Sequence, residues 1–109
     1  MECENCIRDL IDAIISAREI CLSAYDRRIP PGEELILEDR IKDMTKRGCF
    51  STWGNLANIL NEEVSELKEA ISKKDYEEMW KVGSRLSEHL TTYGVKSVAE
   101  YCTKLKKVV

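Results

Sequence analysis

The stretch Asn61–Ile71, NEEVSELKEAI, places three carboxylates, Glu62, Glu63 and Glu66, within five residues. On a helix, acids three positions apart rise from the same side with about 5–6 Å between their Cβ atoms. That spacing suits one hard divalent cation held between carboxylate oxygens. Without a cation, two such charges about 6 Å apart repel by roughly 3 kcal/mol at an effective dielectric near 20. Glu69 differs from them, because Lys73 follows one turn later and can neutralise it.

The helix that must carry these acids is amphipathic. At about 100° per residue, Leu56, Ile59, Leu60, Val64, Leu67 and Ile71 gather into a stripe roughly 140° wide. Glu63 falls inside that stripe, and Glu62 and Glu66 lie along its edge. A carboxylate on a face destined for burial requires a counter-charge, and neither Glu63 nor Glu66 has a cation one turn away in its own helix. Three sources are open: a divalent ion, Arg18 in the middle of the first helix, or Lys81 or Arg85 on the next helix. The alternative is a slightly rotated helix that leaves both acids on a wet flank.

Around this element the pattern is helical throughout, and the reading is an all-α chain of about five helices forming one domain over residues 1–109. Ile7, Leu10, Ile11, Ile14, Ile15, Leu22 and Tyr25 give a long first amphipathic helix, closed by RRIPPGEE, since a proline pair does not continue a helix. Leu37, Ile41 and Met44 mark a second helix that ends at KRG. The acid-bearing third helix starts near Ser51 or a few residues later. Asp75 with Glu78 forms a capping box for a fourth helix, whose apolar face is Tyr76, Met79, Trp80, Gly83, Leu86 and Leu90. Gly94 is read as its stop. Ser97 with Glu100 is read as the start of a fifth helix. The short SKKD link makes helices three and four a central antiparallel hairpin.

Composition narrows the function. The chain is 43% hydrophobic and 34% charged, with a formal net charge of −3, so the basic footprint of a nucleic-acid binder is missing. The closing KLKK complements a helix C-terminus. MECENCIRDL has charges where a signal peptide needs an apolar core, and no apolar run reaches the eighteen or so residues of a membrane span. The expectation is a cytoplasmic protein with reduced cysteines. Cys3 and Cys6 form a C-x-x-C pair, but Cys21, Cys49, Cys102 and His89 each stand alone, which points to a frayed terminus rather than zinc or redox chemistry. A di-iron bundle would need E-x-x-H, and no acid lies three residues before His89.

NEEVSELKEAI followed by DYEEMWKVGSRL resembles the all-α NTP pyrophosphohydrolases, the MazG-like superfamily, over roughly residues 56–90. The resemblance implies a helical bundle completed by oligomerisation to a dimer or tetramer, a nucleoside triphosphate substrate and Mg2+. The metal is held by E-E-x-x-E on one helix and E-x-x-D on the next. Glu63 and Glu66 fall on the first pair of metal ligands, with Glu62 adjacent. The second motif departs: aligning Gly83 with the family glycine puts Lys81 at the glutamate position and Ser84 at the aspartate position. Glu77, Glu78 and Glu88 lie one turn away. These departures imply weak or lost hydrolysis, with Lys81 standing in for the metal by bridging to Glu63 or Glu66. A non-catalytic helical oligomerisation or interaction module is the alternative. Trp53 and Tyr93 are candidates for stacking on a base, or else cap or core aromatics.

Overall fold

The computed structural model describes residues 2–108, and side chains as far as residue 106. It is all-α, with no strand among the described residues. Helix α1 spans Glu2–Tyr25, α2 Glu33–Lys46, α3 Leu56–Ser72, α4 Tyr76–His89 and α5 Val95–Val108. A single 3-10 turn, Ser51–Trp53, precedes α3. The molecule is a rod with principal extents of 48 × 21 × 19 Å.

Local chemistry sets the hairpin. At the end of α3 the Lys74 amide donates to Ile71 O and the Asp75 amide to Ala70 O, with Lys74 in the left-handed region at φ 55°. This double bond pattern closes a helix end. Asp75 then accepts from the Glu78 amide at 3.1 Å and starts α4, so the antiparallel hairpin follows from its connecting residues. Helix α2 ends in the same way. Gly48, at φ 80°, donates to Thr45 O while the Cys49 amide reaches Met44 O, which turns Cys49 into the core.

Gly94 and Ser97 do other work than their sequence context suggests. The fourth helix does not stop at Gly94: a π turn, Leu90–Gly94, carries it into α5. A Cβ on Gly94 would sit 2.9 Å from Leu10 Cδ1, so this glycine allows α1 to approach and breaks nothing. Ser97 is not a helix cap. It is fully buried, donates from Oγ to Cys49 O at 3.0 Å, and lies 3.1 Å from Thr52 Oγ1, which pins the α2–α3 connection against α5.

Of the stripe expected on the first helix, Leu10 is buried and Ile14 half-buried against the core, but the rest faces outward. Its buried residues are Cys6, Leu10, Ala13, Ser16, Ala17, Ile20, Ser23 and Ala24. Ile7, Ile11, Ile15, Leu22 and Tyr25 are exposed. The reason is close approach. A Cβ on Gly83 of α4 would stand 2.9 Å from Cys21 Sγ and 3.7 Å from Ala17 O, so α1 and α4 meet through small side chains. On α4, Trp80 is likewise exposed and Val82 is buried in its place.

The cysteines correct the expectation of free thiols. Cys3 pairs with Cys102 and Cys6 with Cys49, at Cα separations of 5.2 and 5.9 Å. Cys21 is free. The C-x-x-C spacing puts both N-terminal cysteines on one side of α1, where one faces α5 and the other the end of α2. Closing a 43-residue span removes about 4 kcal/mol of chain entropy from the unfolded state. Replacing Cys6 and Cys49 together by alanine should therefore lower unfolding stability by about 2–4 kcal/mol in urea titrations. Protein isolated without reductant and alkylated under denaturing conditions should take up label at Cys21 alone.

Candidate functional site

Glu63 is only 7% exposed and sits on the core side of α3 with Leu60, Val64 and Leu67. Its counter-group is His89, the last residue of α4, whose Nδ1 stands 2.6 Å from Glu63 Oε1. The approach is close, but His89 Nδ1 and Glu63 Oε2 are both buried without a hydrogen bond of good geometry. Burial pushes the Glu63 carboxyl above its ordinary range. His89 and then Arg85 pull it back, and Glu66 adds to the rise. Tyr93 backs His89, with ring centroids 5.8 Å apart, and Trp53 backs Tyr93 at 5.5 Å, with Lys96 Nζ 6.0 Å above the Trp53 ring. The two aromatics proposed for base stacking thus pack on each other.

Glu66 also meets a cation across the hairpin. Arg85 donates from Nη2 to Glu66 Oε2 at 3.0 Å, with both side chains about half-exposed. The bridging cation is Arg85 and not Lys81, which pairs with Glu77 in its own helix at 3.5 Å. The helical drift explains the difference: the row 77, 81, 85, 89 turns about 40° at each step, so its later members, Arg85 and His89, reach the side toward α3 while Glu77 and Lys81 stay in solvent. Ser84 turns to α1, where its Oγ lies 3.8 Å from Cys21 Sγ. Glu62 is exposed, as are Glu77 and Glu88. Arg18 also lies away from Glu63. It lines a cleft of about 360 Å³ between α1 and α4 with Cys21, Ser84, Ser87 and Glu88. Burial holds the Cys21 thiol above its ordinary value, against the opposing pull of Ser84, so it stays protonated and a weak nucleophile.

The four-acid magnesium site is not what these residues build. The structure brings Glu63 and Glu66 to one edge of the hairpin, but it faces them with His89 and Arg85 and sends Lys81 and Ser84 elsewhere. No group of three His, Cys, Asp or Glu side chains able to hold a metal occurs among the described residues. Neither the α1–α4 cleft nor a larger one of about 690 Å³ beside Tyr25, Asp75 and Trp80 is lined by Glu63 or Glu66. No protein-family model, curated protein or solved structure matches the chain.

Sequence reasoning singled out Glu63 but missed His89, because the pair is formed between helices and not along one. A second set of charges was also missed. Asp9 of α1 is held by Arg47 and, at 3.3 Å, by Arg40, which also reaches Asp12 at 3.3 Å. Lys68 reaches Glu38 at 3.1 Å. These pairs join α2 to α1 and to α3. The alternation of Asp9 and Asp12 along one flank of α1 was the available signal.

A raised native pKa means that folded protein keeps a proton on Glu63 after the unfolded chain has lost it. The stability this contributes is complete below 4.5, the unfolded value, and is lost as pH rises through the raised native value. Glu63→Gln removes the titration. The urea midpoint of this variant should therefore gain on that of the parent as pH rises from 4.5 toward neutrality. Parallel profiles would show that Glu63 does not titrate differently in the folded state.

Proposed function

We propose that this chain is a divergent relative of the MazG-like NTP pyrophosphohydrolases that keeps the helical hairpin and has weak or lost Mg2+-dependent hydrolysis. The observation that carries the reading is the pairing of both motif acids with basic side chains of α4: Glu63 with His89 and Glu66 with Arg85. In the family these acids hold magnesium, which would polarise the triphosphate and orient the attacking water. Here a protein cation already stands against the outer acid and an imidazole against the inner one. With the second motif replaced by Lys81 and Ser84, binding of a nucleoside triphosphate is the part of the inherited function that fewer acids would still permit.

A second reading is favoured by a separate observation. The long apolar stripe left exposed on α1 supports a helical assembly module, a dimer or tetramer that uses no nucleotide. In both readings membranes and nucleic-acid polymers are set aside as partners, on the net charge of −3 and because no helix among the described residues is long and apolar enough to cross a membrane. Cytoplasmic residence belongs to the nucleotide reading. The two disulfides weigh against it, since such bonds persist mainly in oxidising compartments, the proteins of hyperthermophiles being an exception.

Pyrophosphate release from a mixture of nucleoside triphosphates with Mg2+ or Mn2+ tests the proposal. The expected rate is near background and is not abolished by Glu63→Gln. In thermal unfolding, the divalent ion alone should leave Tm unchanged. A rapid, chelator-sensitive release that Glu63→Gln abolishes would overturn the reading and establish a working metal site.

A further inference from the structure

Helix α1 has two apolar faces, and the bundle uses one. At about 100° per residue, the buried Cys6, Leu10, Ala13, Ala17, Ile20 and Ala24 centre on one direction, while Ile7, Ile11, Ile15, Leu22 and Tyr25 centre roughly 135° away. The second face holds the bulkier residues: Ile11 is 51%, Leu22 59% and Tyr25 79% exposed. Half-buried Ile14 borders it. Scattered exposed aliphatics are ordinary, but a continuous row of them marks an interaction surface. The row advances by steps of four, three, four, four and three residues, from Ile7 through Ile11, Ile14, Arg18 and Leu22 to Tyr25. That is the spacing of a seam that packs against another helix.

We infer that this seam docks the same seam of a second copy, with the two α1 helices antiparallel. The inference rests on the assembly reading and not on nucleotide chemistry. Two observations select the occupant. Arg8 and Glu19 are exposed and lie on the same flank of the seam, eleven positions apart. The ion pairs that join α1 to the rest of its own bundle run instead from Asp9 and Asp12. In a two-fold antiparallel pairing centred between Ala13 and Ile14, Arg8 of each copy meets Glu19 of the other, so the rim is complementary to itself. The second observation is Arg18, the one charge within the row from Ile7 to Tyr25. A parallel pairing would set Arg18 against Arg18 along the seam. The antiparallel one separates the two by about 13 Å along the axis and lets each long stem lie over apolar surface while its head reaches toward the α1–α4 cleft. The seam runs about 27 Å, and pairing two such faces removes on the order of 1,000 Å² from water, the lower range for a specific interface.

Sedimentation equilibrium of the full chain, from low to high micromolar concentration, reads this directly. The expected result is a dimer whose dissociation constant rises at least about 30-fold in Ile11→Lys, with helix content by circular dichroism unchanged because Ile11 is 51% exposed and lies outside the buried core. Arg8→Glu and Glu19→Arg should each weaken the dimer about five-fold, and the double exchange should restore it. A monomer at every concentration would overturn both the inference and the assembly reading. A dimer insensitive to Ile11→Lys would overturn the seam while leaving assembly standing. Loss of the dimer in Ile11→Lys without restoration by the double exchange would overturn the antiparallel register.

Discussion

The close approach of α1 and α4 governs the rest of this structure. Gly83 lies where any side-chain carbon would run into Cys21 Sγ, and Gly94 where it would meet Leu10. Helices brought this near interpose mostly small groups, so α1 turns its alanines, Ser16, Ser23 and Cys6 inward beside Leu10 and Ile20, and turns Ile7, Ile11 and Ile15 outward. The same contact fixes the rotation of α4 about its axis. With Gly83 and Ser84 committed to α1, residues 85 and 89 come to the side facing α3, and there they meet the two motif acids. A packing constraint between two helices thus determines the charge environment of a third.

At that meeting place the electrostatics divide by depth. Glu66 and Arg85 are half-exposed and screened by water, so their bond at 3.0 Å contributes little to stability, within the 0–1 kcal/mol range of surface pairs. Glu63 lies under the surface, where desolvation of a carboxylate is the larger effect and an imidazole one contact away only partly offsets it. The orphaned oxygen of Glu63 and the poorly aligned nitrogen of His89 mark a polar pair that the bundle tolerates and does not optimise.

Much of the architecture was legible in the residues because it is written locally. Asp75 capping Glu78, the KRG end of α2, the apolar stripe of α3 and the break at the proline pair each depend on neighbours within a few positions. What was hidden depends on partners far along the chain. Choosing between the two faces of α1 requires knowing how near α4 comes, and the bulkier face looks more like core when α1 is read alone. Gly94 has two physical uses, ending a helix and admitting a neighbour, which sequence context does not separate. Glu63 drew attention because a misplaced acid violates the stripe, whereas His89 violates nothing, and its role appears only across the hairpin. Cys49 and Cys102, isolated in sequence, come beside Cys6 and Cys3 only after the helices pack.

The Cys3–Cys102 bond joins the first turn of α1 to the last helix, across 99 positions of a 109-residue chain. Covalently the segment between those cysteines is a closed ring, with the Cys6–Cys49 loop nested inside it. Tension applied at the two ends would pass from one terminal segment to the other through a single sulfur bridge and would never load the helices between. For the same reason, one backbone cut anywhere between those cysteines would open the ring without dividing the molecule. The bundle is mechanically bypassed by its own outermost cross-link.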